Sequence, residues 1–385
     1  MTQPDCYERL RHKLNLFFIN TPKAPSILKI LAHLFTPEEA ELLSLFNAPY
    51  LDARTVDTFA KRAKKDIGQV REIFDTLCKR GILFKYFNKN EDTDYYSLMA
   101  MLPGLFEFYY SANPSLNLEE EARPAEWFED YKVNIFQEEA RSTFPWVRVL
   151  PAAAPVDKLI EVNQAVSSDP EILPFEIAKE VLDQCRRIAV IPCACRVHGR
   201  YLGRDVSKWP IETCLMLNSW ADFAISQGFG REFSKDEAEQ LLHTCSKAGL
   251  VHSTMNSMQT YFICNCDPEN CLILAGFIRR RYNDTLTRSN FIPAFDHTLC
   301  KKCGTCIEKC PTNALSRHYP HASNLEDDFV TWREELCIGC GVCATNCTQG
   351  AINLQKVRDS KVKDSLVELW QSFAAGKCGL HNKPQ

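Results

Sequence analysis

Cys300-Lys301-Lys302-Cys303-Gly304-Thr305-Cys306-Ile307-Glu308-Lys309-Cys310-Pro311 and Cys337-Ile338-Gly339-Cys340-Gly341-Val342-Cys343-Ala344-Thr345-Asn346-Cys347 repeat one Cys-x2-Cys-x2-Cys-x3-Cys spacing. Eight of the nineteen cysteines sit in these two blocks, which marks them as a ligand pattern and not scattered packing thiols. Three thiolates in a tight loop can each reach one corner of an iron-sulfur cube, and the fourth cysteine, set off by a short turn, points toward a neighbouring cluster. The symmetry runs past the thiols. Pro311-Thr312-Asn313-Ala314-Leu315 and Thr348-Gln349-Gly350-Ala351-Ile352 place a turn and an apolar residue at the same offset. Zinc takes four thiolates per ion, usually as two separated pairs, and disulfides belong to cysteine-dense secreted segments. A triple plus an offset fourth fits neither pattern as well.

From about Phe295 to Leu354 the pattern resembles the bacterial-type ferredoxin domain with two [4Fe-4S] clusters. Matched residue by residue, the resemblance implies that Cys300, Cys303, Cys306 and Cys347 hold one cluster, and Cys337, Cys340, Cys343 and Cys310 the other. Thr348 stands where the family usually has proline.

At 385 residues the chain exceeds what one core usually organises, so two or three domains are expected. An apolar content of 45% with 24% charged residues is that of a globular protein in water. No apolar stretch is long enough to cross a bilayer, and Met1-Thr2-Gln3-Pro4-Asp5-Cys6 does not read as an export signal. A cytoplasmic location, where thiols stay reduced and serve as ligands, is the expectation. The formal charge is -4, and two clusters at about -2 each would take it to about -8. That balance disfavours nucleic acid as a partner.

The fold class expected is α+β and multidomain. Residues 26–102 read as a winged-helix-like N-terminal domain. Thr36 caps a helix from Pro37, Arg54 to Ala63 carries a helical apolar face, and Asp66 caps a third helix that Gly81 ends. Ile82–Phe87 and Tyr95–Met99 then read as a hairpin. The third helix mixes Gln69, Arg71, Lys79 and Arg80 with Glu72 and Asp75, a poor concentration of cations for a phosphate backbone, so docking or dimerisation is favoured over DNA. Residues 103–140 read as a linker and amphipathic helix, 141–290 as a central α+β domain, 295–354 as the ferredoxin-like dicluster domain, and 355–385 as a C-terminal helix and tail. Within the centre, Phe144–Leu150 is strand-like, Pro151 to Pro155 breaks it, and Phe175–Cys185 is helical. Ile188–Ile191 reads as a strand, Asp236–Lys247 as a helix capped by Ser234, and Leu250–His252 and Tyr261–Ile263 as two short strands.

The central region carries a second set of thiols. Cys193 and Cys195 follow the strand ending at Ile191, Cys214 comes later, and Cys264, Cys266 and Cys271 follow the strand ending at Ile263. A pleated strand sends residues i and i+2 to one face, so each Cys-x-Cys is expected to be pre-aimed, and neighbouring strands would bring six thiols to one edge. A third iron-sulfur cluster is favoured over zinc, with core packing as the plain alternative, and which four ligate stays open. Arg196 reads as a surface arginine, with an anion or cluster partner as the alternative, and His198 and His252 as structural. Cys6, Cys78, Cys185, Cys245 and Cys378 lack metal spacing and read as packing residues.

Taken with Leu102-Pro103-Gly104-Leu105-Phe106-Glu107, Cys193-Ala194-Cys195-Arg196, Leu250-Val251-His252 with Asn256, and Ile263-Cys264-Asn265-Cys266, the layout resembles ferredoxin-type proteins of anaerobic microbes. In these a winged-helix-like region precedes a Cys-x-Cys-Arg segment. Members often have a denser cysteine run after the last hook, where this chain has Cys271. The resemblance implies clusters, electron transfer and a redox partner protein. No Gly-x-Gly-x2-Gly follows a strand, and there is no phosphate loop or haem attachment motif. An electron carrier or electron-input subunit is therefore favoured over a self-contained enzyme. A redox-sensing winged-helix regulator, or a subunit with a catalytic central metal site, is the alternative.

Overall fold

The computed structural model describes residues 5–152, 176–320 and 328–381, and the chain divides into two units. One comprises Met1–Arg141, Ala189–Ser207 and Ser219–Glu232; the other comprises Ser142–Ile188, Lys208–Asn218 and Phe233–Gln385. The expected break at Ala153–Pro155, the helix start at Phe175 and the tail beyond His381 lie outside the described residues. In chain order the strands are β1 (Ala53–Arg54), β2 (Phe84–Asn88), β3 (Thr93–Ser97), β4 (Val147–Leu150), β5 (Ile188–Pro192), β6 (Glu212–Leu217), β7 (Arg231–Phe233), β8 (Val251–Met255), β9 (Phe262–Cys266), β10 (Phe291–Phe295), β11 (Leu315–His318), β12 (Phe329–Trp332) and β13 (Ile352–Lys356). The architecture is mixed α/β and multidomain.

In the first unit, helix starts follow their caps. The Thr36 hydroxyl accepts from the Glu39 amide at 3.2 Å, and the Thr36 amide donates back to the Glu39 carboxylate at 2.7 Å, opening Pro37–Leu43. Thr55 caps Val56–Ala63, and Asp66 caps Ile67–Lys79 through the Gln69 amide at 3.1 Å. Gly81 ends that helix with φ +71°, and a β-carbon there would lie 2.4 Å from the Phe108 carbonyl oxygen, so only glycine fits. Strands β2 and β3 form an antiparallel hairpin, and β1 adds to β3. Phe46, Phe59, Phe74 and Tyr96 of β3 pack in tilted and edge-to-face pairs, with 4.6, 4.9 and 5.1 Å between successive ring centroids.

The segment after Asn113, expected to begin as a linker, is mostly helical. Asn117 caps Leu118–Asp130 through the Glu119 amide, and the run Glu119-Glu120-Glu121 occupies the first turn, where the helix dipole favours negative charge. The acidic run is a helix start, not a solvated spacer. A π-helical turn, Tyr131–Phe136, continues it.

In the second unit β4, β8, β9 and β6 lie side by side in that order, with antiparallel neighbours. Residues alternate between faces. On one face His252 stands opposite Asn265, with Nδ1 2.6 Å from the Asn265 Oδ1 and Nε2 2.7 Å from the Ser246 hydroxyl. Ser246 belongs to the helix Lys235–Lys247, which Ser234 caps with a second reciprocal box. Burial pushes the His252 imidazole down to about 4, opposed by its bond to Asn265. An unfolded chain takes up that proton near pH 6.5, so the unfolded state binds more protons below that value. Stability then falls by roughly 3 kcal/mol as pH drops from 6.5 to 4. An imidazole resonance that does not titrate above about pH 5 is the expected NMR result, and a midpoint near 6.5 would contradict it.

Further along, β10 pairs with β13 and β11 with β12, both antiparallel. Between them run two four-residue helices, Thr305–Glu308 and Val342–Thr345, over a core containing Ala314, Leu315, Val330 and Ile352. The last helix, Leu366–His381, stacks Trp370 on Trp146 at 5.7 Å.

Candidate metal centres

The two cysteine blocks share one backbone course. Lys302 and Gly339, the residues before each second cysteine, have φ of +57° and +71°. Gly304 and Gly341, which cap the two short helices, have +83° and +71°, and Asn313 and Gly350, after each fourth cysteine, have +54° and +65°. Each loop thereby curls its three thiols toward a common centre, with left-handed residues allowing the tight turns. Space separates the copies. At Gly339 a β-carbon would meet the Phe291 carbonyl oxygen and the Ser289 hydroxyl at 2.2 Å, whereas at the matching turn Lys302 is partly open to solvent.

Two cavities result. One is lined by Cys300, Cys303, Cys306 and Cys347, with Phe295 and Val330 among its walls. The other is lined by Cys310, Cys337, Cys340 and Cys343, with Pro293 and Leu315. The fourth thiol of each set thus comes from the opposite block. Cys303 is exposed and Cys300 and Cys347 are half-buried, while Cys310, Cys337 and Cys343 are buried, so the first cavity is the one near solvent.

Electrostatics follow the same division. Burial pushes Cys306 up to about 11, and the charges of Cys300, Cys303 and Cys347 add to it. Burial likewise raises Cys343, with Cys340, Cys337 and Cys310 adding to it. Such thiols become thiolates only with positive charge in the cavity, which iron supplies by coordination. Cys303 is the exception, held below the ordinary thiol value by the Thr305 hydroxyl and backbone, and by Arg317. Burial raises Cys337, against the Gly339 amide and the cations Arg358 and Arg288. Arg288 is fixed by the Glu334 and Glu335 carbonyls at 2.9 and 2.8 Å. These arginines lie outside the cysteine spacing and carry no sequence signal. Among the described residues no three His, Cys, Asp or Glu side chains form a ready single-ion site. Four sulfurs around an apolar cavity fit an iron-sulfur cube by donor type and number.

The six central thiols are differently placed. Cys193 caps the helix Ala194–Tyr201 and Cys195 lies in its first turn, so the alternation expected of a pleated strand does not apply to them. Strand β5 ends at Pro192, and the chain turns helical at once. Cys264 and Cys266 do lie within a strand, β9, and share a face. The neighbours of β9 are β8 and β6, on both sides, so the strand before Cys193 does not pair with it as expected. Cys214 lies on β6, and Cys271 caps the helix Leu272–Arg280, accepting from the Leu274 amide at 3.5 Å. Arg196, expected at the surface, is fully buried. His198 is buried as well, its Nδ1 3.2 Å from the Lys132 ammonium and its Nε2 2.9 Å from the Ala125 carbonyl oxygen, and burial holds it neutral. Of the remaining cysteines, Cys6, Cys78 and Cys245 are buried, Cys185 is half-buried and Cys378 is exposed.

A family model described as a 4Fe-4S dicluster domain matches residues 299–352. No curated protein and no solved structure matches the chain. The C-terminal segment is a ferredoxin-type domain, which supports iron-sulfur cluster binding and an electron-transfer role in general. Among the described residues no helix is long and apolar enough to cross a membrane.

Proposed function

We propose that this chain is an electron-transfer protein carrying two [4Fe-4S] clusters, one held by Cys300, Cys303, Cys306 and Cys347 and the other by Cys310, Cys337, Cys340 and Cys343. The observation that carries this reading is the pair of cavities, each bounded by four thiols drawn from both blocks. When bound, each cluster supplies a one-electron couple. The chain's own residues do the rest. Cys303 offers the exposed edge where a redox partner protein would dock, and the loops around Cys337 and Cys343 keep the second site dry. Arg317 beside Cys303, and Arg288 and Arg358 beside Cys337, offset the negative charge that ligation concentrates there.

The helices Pro37–Leu43, Val56–Ala63 and Ile67–Lys79 with the β2–β3 hairpin are read as a winged-helix-like docking module. Three of its cations are engaged locally. Lys65 pairs with Glu38 at 2.8 Å, Arg80 with Glu39 at 3.5 Å, and Lys85 with Asp94 at 2.8 Å. With Glu72 and Asp75 interspersed on the third helix, those pairings favour a protein partner over a phosphate backbone. The many reduced thiols fit a cytoplasmic setting.

Anaerobic reconstitution followed by iron and sulfide analysis tests the cluster count. About eight irons and eight sulfides per chain in the two C-terminal sites are expected. Iron far below that, or zinc in its place, would falsify the reading.

A further inference from the structure

Three central thiols meet on the face of the second unit's sheet opposite His252. The register Leu215↔Ile263 and Met216↔Phe262, continued by one residue, sets Cys214 across from Cys264. The Cys264 thiol is hydrogen-bonded to both Cys214 and Cys266, and the Ser253 hydroxyl lies 3.4 Å from the Cys266 sulfur. The cysteine quartets of the C-terminal domain stand round cavities, whereas here the Cys264 thiol is bonded directly to its two neighbours. Cross-strand neighbours in an antiparallel sheet have α-carbons about 4.5–5.5 Å apart, within the span of a disulfide. Residues i and i+2 of one strand are roughly 6.6 Å apart with extended backbone between them, which disfavours closure of Cys264 on Cys266.

The same sulfurs adjoin the second quartet. Cys266 and Cys271 belong to an apolar cluster with Val149, Val251, Leu274 and Ile338, and both Cys264 and Cys340 pack against it. Ile338 and Cys340 are part of the second cysteine loop, and the Cys340 carbonyl accepts from the Ala152 amide at 2.9 Å. A continuous packed path therefore joins the more buried quartet to the thiol pair.

We propose that Cys214 and Cys264 are a redox pair that cycles between dithiol and disulfide, exchanging electrons with the cluster at Cys310, Cys337, Cys340 and Cys343. The proposal rests on the reading of those quartets as cluster ligands. In the reducing direction the bond between the Cys214 and Cys264 sulfurs breaks, two electrons enter and two protons come from solvent, leaving two thiols. The two electrons would come singly from the clusters that the two quartets would hold, each cluster being a one-electron couple. The two one-electron clusters of the chain together match the two electrons of one disulfide.

The full chain, reconstituted and then mildly oxidised without oxygen, is alkylated and mapped by mass spectrometry. A peptide linked through Cys214 and Cys264 is expected. Reductive titration of that material should take about four electrons per chain, and about two in Cys214→Ser. Complete alkylation of both thiols after oxidation, or about two electrons in both proteins, overturns the proposal. So does iron or zinc beyond the two clusters that disappears in Cys264→Ser, since the thiols then hold a third metal centre. The mapping needs no variant and stands even if Cys214→Ser folds poorly. Absence of cluster iron with the Cys214–Cys264 link intact would sink the reading of the quartets, and the electron donor with it, but not the thiol pair.

Discussion

Cys347→Ser is expected to remove the first cluster and leave the second, lowering iron from about eight to about four per chain. The discriminating results come from adding a second substitution. Cys300→Ser in the Cys347→Ser background should cost no further iron, because both thiols line the same cavity. Cys310→Ser in that background should bring iron close to zero, because Cys310 lines the other cavity although it lies in the same block as Cys300. If each block instead held its own cluster, Cys300→Ser with Cys310→Ser would retain about four irons. Iron, sulfide and visible absorbance of the reconstituted variants decide between the two partitions. Serine is the suitable replacement because it keeps the side chain small and polar, so a lost cluster reports a lost ligand and not a blocked cavity.

The second large effect is expected at Gly339→Ala. A left-handed φ costs a non-glycine residue about 1–2 kcal/mol, and overpacking adds about 1–3 kcal/mol more. Here the added carbon would press on the Phe291 carbonyl oxygen and the Ser289 hydroxyl at 2.2 Å. Neither neighbour can step aside cheaply. Phe291 begins β10, and the Ser289 hydroxyl is donated to the Gly339 carbonyl at 2.6 Å. Displacing the turn moves Cys337 and Cys340 together, so loss of about four irons and a lower unfolding midpoint are expected. Lys302→Ala is the control, since the matching turn of the first block already accommodates a side chain at φ +57°. It should retain about eight irons. Equal tolerance of both substitutions, by iron content and thermal unfolding, would show that the close approach at Gly339 does not exist in solution.

Helix starts were legible where a side chain binds its own backbone a few residues on. Thr36, Asp66 and Ser234 cap the helices expected of them, because a cap, reciprocal at Thr36 and Ser234 and single at Asp66, needs only four consecutive residues. The stretch after Asn113 was less legible. Its acidic run looks like a solvated spacer until Asn117 is recognised as a cap, and Glu121 turns out to be buried, accepting from the Tyr109 hydroxyl at 3.1 Å. The Cys-x-Cys spacing at Cys193 and Cys195 fits a pleated strand, but β5 stops at Pro192 and a helix begins immediately. Helix and strand differ there by one backbone torsion, and nothing in a short run of small residues forces the choice.

The spacing of the two cysteine blocks, by itself, determined a loop of three thiols, repeated, with a fourth set off by a turn, because those relations span only a few bonds. The company each fourth thiol keeps depends on how β10 meets β13 and how the two short helices pack, which no local spacing encodes. Likewise Cys214 faces Cys264 only through the register of β6 against β9. These positions are far apart in the chain, and side-chain packing across the sheet, not proximity in sequence, brings the sulfurs into contact.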